Sequence, residues 1–511
     1  MQAGHALRDQ GTRNWPEPTG EIDCDVAILG SGVAGVTAAW KLAREGHRNF
    51  VLLSGPEPGG NTAGGGQGEL RHPTGAHYLP LPSRESVHVR EILHALGILH
   101  GDPQAARPHY DEMSLVHPLQ ERLFDGGRWH DELLPVEGMN ARERERFQHY
   151  VAGLRGKKGR DGRLLFAMPS ASSSQDSEWR ALDALSFHDW LQREDYRDAR
   201  LHWYADYCCR DDYGVGSQHV SAWAGLHYFV SRTGEAANAD TGSLLTWPDG
   251  LHTPVQAMLG QIPFVDEAGG PRRLAGTAVQ VRQRGGRCEV IALQEGGRSL
   301  RIRARRLIVA MPLFVAARVV EGMQDFGFDA RRHLLPHSSW LVANFQLRRF
   351  PREPVPRSEH EYVLPLAWDN VLREGKGLGY VVATHQLIRV ARPERTVFTA
   401  YKALPFDATH ATRRRLANAA PGELLDEVAE DLLLAYGDAL WPLVERVSIT
   451  VRAHAMSIPV PGFLSNAGLT ALRELDGPIR FAHSDLSGYS VFEEAAWWGW
   501  QAALGVLGER S

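Results

Sequence analysis

Asp25-Val26-Ala27-Ile28-Leu29-Gly30-Ser31-Gly32-Val33-Ala34-Gly35 decides how this chain is read. Residues 25–29 are a short apolar run of the kind that forms a buried parallel strand. A Gly-x-Gly-x-x-Gly turn follows at once. Residues 36–45 then read as a helix, with Gly46 as its stop. Phe50-Val51-Leu52-Leu53 is a second apolar strand, so the unit is a βαβ of about thirty residues. In such a turn Gly30 permits the tight bend, Gly32 lets backbone approach a pyrophosphate, and Gly35 lets helix pack on strand. Ser31, Val33 and Ala34 complete a loop whose helix end offers free N–H groups to a phosphate. The motif alone is weak; its place between strand and helix makes it a dinucleotide-binding loop. One part of the fingerprint departs. The acid that grips the ribose should end the second strand, where Ser54 stands, with Glu57 three residues on. Either the Ser54 hydroxyl or Glu57 takes that place.

Outward from this unit, the loop from Gly59-Gly60-Asn61 to Gly68 carries too many glycines for a regular element. An Arg- and His-rich region spans 84–240, with a helical pattern at 89–96. Strand patterns return at 277–282, 288–293, 300–303, 307–310, 340–347, 379–384 and 396–401, and a helix at 423–436. The chain closes as a strand at 479–482, a loop, and a helix at 493–507.

The 511 residues, 43% hydrophobic and 23% charged, suit a globular chain of about three domains or two large intertwined ones. Four cysteines without a CxxC pair argue against a disulfide framework or a zinc ribbon, and no metal site is expected. A net charge of −5 gives no footprint for nucleic acid or lipid. No apolar run reaches the ~18 residues of a membrane span. Residues 1–20 lack a signal-type apolar region and read as a flexible arm, so a cytoplasmic protein is expected. GxSxG, HExxH and Walker loops do not occur, which gives hydrolase, zincin and NTPase readings little support.

The Gly30–Gly35 turn, Gly59-Gly60, Gly75-Ala76-His77-Tyr78, Leu307-Ile308-Val309-Ala310-Met311-Pro312 and Phe481-Ala482-His483-Ser484-Asp485 with Gly488-Tyr489 occur in that order. Together they resemble the flavin-dependent amine oxidase superfamily, which includes monoamine and polyamine oxidases and phytoene desaturases. The segments Cys208-Cys209-Arg210-Asp211-Asp212-Tyr213-Gly214, 221–229 and Trp368-Asp369-Asn370-Val371 are similar to a bacterial branch of FAD-dependent or NAD(P)-binding oxidoreductases. The resemblance implies an α/β plus α+β architecture. A discontinuous, Rossmann-like FAD-binding lobe would come from 21–83, 241–320 and 451–511. A substrate lobe of mixed sheet and helices would come from 84–240 and 321–450. It implies FAD as cofactor, with Gly59, Gly60 and Asn61 along the ribityl–pyrophosphate path and Gly75 to Tyr78 against the isoalloxazine. Backbone near Val279 would meet the adenine. Pro312 would belong to the second dinucleotide-side segment, His483 and Ser484 to the C-terminal flavin motif, and Asp485 would hold the ribityl hydroxyls.

Hydride removal by a flavin needs little acid–base machinery from the protein, which positions the substrate and excludes water. Tyr78, Trp340, Trp368, Tyr489 and Phe492 are candidate aromatic walls, against the ordinary alternative of core packing. Amine oxidases place a lysine near the flavin. Here the comparable strand, 338–345, has none, and lysine occurs only at 41, 157, 158, 376 and 402. His454 falls where monoamine oxidases carry a flavin-linked cysteine, so it faces the flavin, acts as a base, is attached to the ring, or is a core histidine. Asp211 and Asp212 either hold a cation or substrate ammonium, or cap a helix or pair with arginine, Arg210 being adjacent. The expected function is removal of a hydride from an amine-bearing or unsaturated small molecule, with electrons leaving to oxygen or another acceptor. The rivals are a desaturase or isomerase on an apolar substrate, a partner-binding scaffold of GDP-dissociation-inhibitor type, and a plain NAD(P)-dependent dehydrogenase.

Overall fold

The computed structural model describes residues 15–135, 137–265, 269–270, 272–353, 364–388, 390–407 and 410–508. The arm expected over residues 1–20 falls largely outside them, and Gly20 already opens the first strand, Gly20–Leu29. That strand lies between Phe50–Leu53 and Ser299–Val309, with Arg273–Leu274 beyond the former and Ile479–Phe481 beside the latter. All these contacts are parallel. A parallel sheet needs cover on both faces, and the strand sequences alternate accordingly. Val26, Ile28, Leu52 and Ile308 pack toward Trp40 of the helix Val33–Arg44 and Trp500 of the helix Phe492–Leu507. Ala27, Leu29, Val51 and Val309 pack the other way, against Leu313, Phe328 and Leu469. Each such aliphatic side chain taken from water contributes about 1.5–3 kcal/mol.

The two strands expected at 300–303 and 307–310 are one, Ser299–Val309. Exposed Arg305 and Arg306 interrupt its apolar pattern, but the ladder with Gly20–Leu29 runs through them. The first half of this strand also pairs antiparallel with Arg287–Leu293, the second half parallel with Ile479–Phe481. The C-terminal helix returns to the dinucleotide loop. A Cβ on Gly499 would lie 2.1 Å from the Ala34 carbonyl oxygen, so only glycine lets the two helices approach this closely.

A second seven-stranded sheet runs in the order Val444–Arg452, Trp340–Leu347, Thr396–Ala403, Tyr380–Val382, Asp369–Leu372, Glu121–Asp125, Arg128–His130. Only the Asp369–Leu372 and Glu121–Asp125 pairing is parallel. On one face Leu341, Phe345, Phe398 and Leu372 pack against Val428 and Leu432 of the helix Pro421–Tyr436. On the other, Trp340, Val342, Val381 and Tyr401 meet Tyr207 and Cys208 of the helix Ala199–Tyr213. This second face also reaches the glycine-dense loop, because Asn344 Nδ2 donates to the Pro73 carbonyl at 3.0 Å and Tyr401 Oη to that of Gly75 at 2.9 Å.

Candidate functional site

The three glycines of the turn divide their work. Gly30 has φ +116°, and a Cβ there would stand 2.5 Å from the Ala310 carbonyl oxygen. At Gly35 the Cβ would meet the Gly30 carbonyl at 1.9 Å. Both are held by contacts within the protein. Around Gly32 nothing lies within 4 Å of the Cβ position, so that backbone borders open space. Across it, Gly59 N–H donates to the Ser31 carbonyl at 3.2 Å, and a Cβ on Gly60 would come to 3.7 Å from Gly32 Cα. Two glycine segments therefore border a strip of bare backbone. The helix Val33–Arg44 begins beside it, with Gly32 as N-cap and no side-chain cap, so the first-turn N–H groups of Val33, Ala34 and Gly35 lack a capping side chain. These are the donors and the clearance a pyrophosphate needs.

Ser54 is buried at the end of its strand, and its carbonyl accepts the Ser31 hydroxyl at 2.8 Å. Glu57 is exposed and reaches Arg452 at 3.4 Å. Arg452, a residue the sequence did not single out, ends the strand Val444–Arg452 and crosses to the glycine loop. It donates to the carbonyls of Thr74 at 3.0 Å and Gly60 at 3.1 Å, and to Asn61 Oδ1 at 3.3 Å. Asn61 Nδ2 in turn donates to the Ala455 carbonyl at 2.6 Å, and Ala76 N–H to the Asn61 carbonyl at 2.8 Å. The segment 59–78 is thus fixed from both sides. At its end His77 stacks on Tyr401, with ring centroids 4.3 Å apart, and lies 5.6 Å from Trp368. Burial pushes the His77 imidazole down to about 3, so it is neutral at physiological pH.

On the far side, Pro312 is the N-cap of the helix Leu313–Val319. Asp485, expected over the ribityl hydroxyls, has an internal role. It accepts Leu313 N–H at 2.8 Å and contacts His337 Nε2 at 3.3 Å and His483 Nδ1 at 3.2 Å, with 3% of its surface exposed. Burial alone would raise its pKa, but His483 and His337 outweigh that and hold the carboxyl well below the usual range. Ser484 is buried next to it. Val279 lies at a break in register between Ala278 and Gln280, which frees its backbone from the strand ladder.

Beyond Tyr78 the second sheet faces the helix Ala199–Tyr213. Tyr204, Cys208 and Asp211 recur along that helix at the spacing of one face. Opposite them, Glu121 and Asp369 are register partners on adjacent strands, so their side chains share one face, the face that also carries Val381 and Tyr401. Tyr78 Oη joins the two sides, donating to Asp211 Oδ2 at 2.9 Å. Glu121, Asp211 and Asp369 are each partly buried. Burial and the neighbouring Asp212 push Asp211 up to about 6; burial and Asp211 push Glu121 up to about 7. Asp369 is raised well above its ordinary value by burial, Asp211 and Glu121. The adjacent Arg210 pairs with Asp206, and Asp212 is held by Arg232 at 2.6 and 2.7 Å. Among the described residues no group of three His, Cys, Asp or Glu is placed to hold a metal ion.

Trp340, His454 and Tyr489 each have their own neighbours. Trp340 belongs to the cluster between the second sheet and the helix Ala199–Tyr213, its Nε1 donating to Ser338 Oγ at 3.0 Å. His454 lies elsewhere, stacked on Phe314 at 4.7 Å and exposed at its edge. Packing against its neighbours, then the positive Arg413 and nearby His337, press its imidazole pKa down. Tyr489, a candidate wall, is an interior residue here. It is 1% exposed and donates to buried Glu494 at 3.0 Å, in a cluster with Tyr213 and Phe463. Phe492 is core as well. The sequence missed Glu121, Tyr207, Tyr401 and Arg452. The only signal was Asp369 inside the Trp368–Val371 segment, whose role appears only when strand register sets Glu121 beside it.

Residues 28–96 match a family of NAD(P)-binding Rossmann-like domains. Over its whole length the chain is similar to solved amine oxidase structures. Cyclohexylamine oxidase from Brevibacterium oxydans IH-35A is 17% identical over 95% of this chain and 99% of its own, with a TM-score of 0.64. Putrescine oxidase bound to putrescine is 15% identical over 96% and 100%, with a TM-score of 0.61. A CLA-producing fatty acid isomerase from P. acnes is 15% identical over 93% and 97%, with a TM-score of 0.63. The fold is therefore the one these oxidases and this isomerase share: a Rossmann-like dinucleotide domain joined to a second, sheet-based lobe. No described helix is long and apolar enough to cross a membrane.

Proposed function

We propose that this chain is an FAD-dependent oxidoreductase that removes a hydride from an amine-bearing small molecule. The observation that carries the reading is the continuity from the bare-backbone cradle at Gly32 and Gly60, through the braced segment 59–78, to the aromatic and acidic residues around Tyr78. In this reading the amides of Val33, Ala34 and Gly35, with Gly59 and Gly60, hold the pyrophosphate. Ser54 stands where the ribose acid is usual, and the Val279 backbone meets the adenine. Pro312, His483 and Ser484 close the far side, and Gly75 to Tyr78 flank the ring. The bound cofactor would supply a two-electron acceptor.

The chain's own residues do the rest. Tyr401 fixes the Gly75 carbonyl, and His77, Trp368 and Trp340 keep water out. An amine must lose its ammonium proton before oxidation. Lys41, Lys376 and Lys402 are each committed to surface carboxylates, Glu45 or Glu430. Asp211, with its pKa near neutrality, is the proton acceptor, at the carboxylate that Tyr78 Oη orients. A lobe formed by 84–240 and 321–450 would supply the substrate hollow, and oxygen or another acceptor would take the electrons. The fold shared with a fatty acid isomerase keeps a second reading in view, chemistry on an apolar substrate. The acidic side chains Asp211, Glu121 and Asp369 near Tyr78 weigh against it.

The test is the visible spectrum of the purified protein before and after acid precipitation. Flavin bands released to the supernatant are expected. Colour kept in the pellet would mean a covalent link and bring His454 forward. A colourless protein that takes up no added FAD would remove the enzyme reading.

A further inference from the structure

Two arginines interrupt the apolar run of the central strand Ser299–Val309. Arg305 and Arg306 are exposed between buried Ala304 and Leu307. The strand changes partner at that point. Arg287–Leu293 pairs with it as far as Ala304, and Ile479–Phe481 takes over at Leu307. Residues 305 and 306 lie at the gap between the two partners, and a cavity of about 430 Å³ opens there. That size falls within the ~300–1,000 Å³ of small-molecule sites. The remaining walls are Gly477 and Pro478, Arg480, and Gly505 in the last turn of the helix Phe492–Leu507. The dinucleotide cradle is a different place, beyond the end of the strand, where Ala310 meets Gly30.

Three guanidinium groups border this cavity against one carboxylate, Asp476. Arg480 is held in position. Its Nη2 donates to Asp476 at 2.9 Å, and a Cβ on Gly505 would come 2.6 Å from its Cζ, so glycine is what lets the guanidinium lie there. The same placement sets a positive group against the carbonyl end of the helix, whose partial negative charge would otherwise repel an anion. Arg305 reaches Asp25 at 3.5 Å, a solvent-exposed contact of little energy. Arg306 has no hydrogen-bond or ion-pair partner among the described residues. At Gly477 a Cβ would meet nothing within 4 Å, so bare backbone borders the opening as well. Guanidinium groups match tetrahedral oxyanions through paired N–H donors. In the lining, three cations less one carboxylate leave two charges to be met, and a phosphate group near neutral pH carries about −1.5 to −2.

We propose that this cavity binds the phosphate group of a small molecule, with Arg306 and Arg480 as its main donors. The site is independent of the functional reading above and needs neither flavin nor turnover.

The experiment is calorimetry on the purified full-length protein, with any flavin it carries, at a constant ionic strength of about 0.15 M. Inorganic phosphate and ribose 5-phosphate are the probes. At least one is expected to bind with a Kd of about 1 mM or tighter. Arg306→Ala, at an exposed position, is expected to weaken that binding at least about tenfold, and Arg306→Glu to abolish it. Arg193→Ala removes another exposed arginine, on the helix Phe187–Arg193, and is expected to change the affinity less than about twofold. Tighter binding of ribose 5-phosphate would support a phosphate ester as the ligand, and tighter binding of inorganic phosphate would support the free ion. No binding of either probe would overturn the site, as would an equal loss in Arg193→Ala. Binding that Arg306→Ala leaves intact, such as phosphate held in the cradle at Gly32, would overturn it too.

Discussion

Tyr78 Oη donates to Asp211 Oδ2 over 2.9 Å, and this bond joins the segment that follows the glycine loop to the helix Ala199–Tyr213. On one side of it lies backbone suited to a dinucleotide, on the other a cluster of acids and aromatic rings. Tyr78→Phe removes the donor and leaves Asp211 less oriented without emptying the space. The expected outcome is a fall in kcat of about tenfold to a hundredfold, with KM changed much less. Steady-state kinetics on an amine that reduces the flavin would check it, and an unchanged kcat would remove the proton-accepting role of Asp211.

Gly32 and Gly35 separate cofactor binding from folding. A Cβ at Gly32 meets no protein atom, so Gly32→Ala is expected to fold with stability within about 1 kcal/mol of the parent. Flavin retention should nevertheless fall, because the methyl projects into the cradle. At Gly35 the same change drives a Cβ to 1.9 Å from the Gly30 carbonyl, and a loss of about 3 kcal/mol or more is expected. Denaturant unfolding alongside flavin release reads both effects.

Arg452 ties the second sheet to the Gly60 and Thr74 carbonyls. Arg452→Ala would leave those acceptors to water or unpaired, a cost of about 1–3 kcal/mol to the braced loop. FAD affinity is expected to drop by about tenfold or more, measured by flavin fluorescence on dilution. Lysine at this position should rescue little, since one ammonium cannot span carbonyls that a guanidinium fork reaches together.

The raised carboxyls predict how stability varies with pH. Glu121 has an ordinary pKa of 4.5 and sits near 7 in the folded protein, because burial and Asp211 disfavour its charge. An acid raised in the folded state contributes its full stability below the unfolded value, and loses it as pH climbs from there through the folded value. Between about pH 4.5 and 7 it therefore removes stability. Glu121→Gln is expected to match the parent at about pH 4 and exceed it by about 2 kcal/mol at pH 8. The gain is shared with Asp211 and Asp369, which titrate together with Glu121 and face Tyr78, Tyr207 and the Asp212–Arg232 pair. Chemical denaturation at the two pH values checks the sign, and a variant less stable at pH 8 would contradict it.

The dinucleotide half was legible because its signals are local. Strand, glycine turn and helix follow one another within residues 25–53, and the strands at 340–347 and 479–482 show their apolar runs directly. What sequence reading missed depends on partners far along the chain. The strand Val444–Arg452 mixes charged and apolar residues and reads as no element until it pairs with Trp340–Leu347. Glu121 and Asp369 are some 250 positions apart and become a pair only through parallel register. For Tyr489 the partner is close in sequence. It stands beside a flavin-type motif, but Glu494 five residues later turns its hydroxyl into the core.

The most direct measurement is anaerobic mixing of the purified, flavin-loaded protein with a panel of primary and secondary amines while the visible spectrum is followed. The account predicts flavin bands that bleach on addition of at least one amine and return when an electron acceptor is admitted. A protein that neither carries nor takes up FAD would contradict it, as would flavin bands that no amine bleaches.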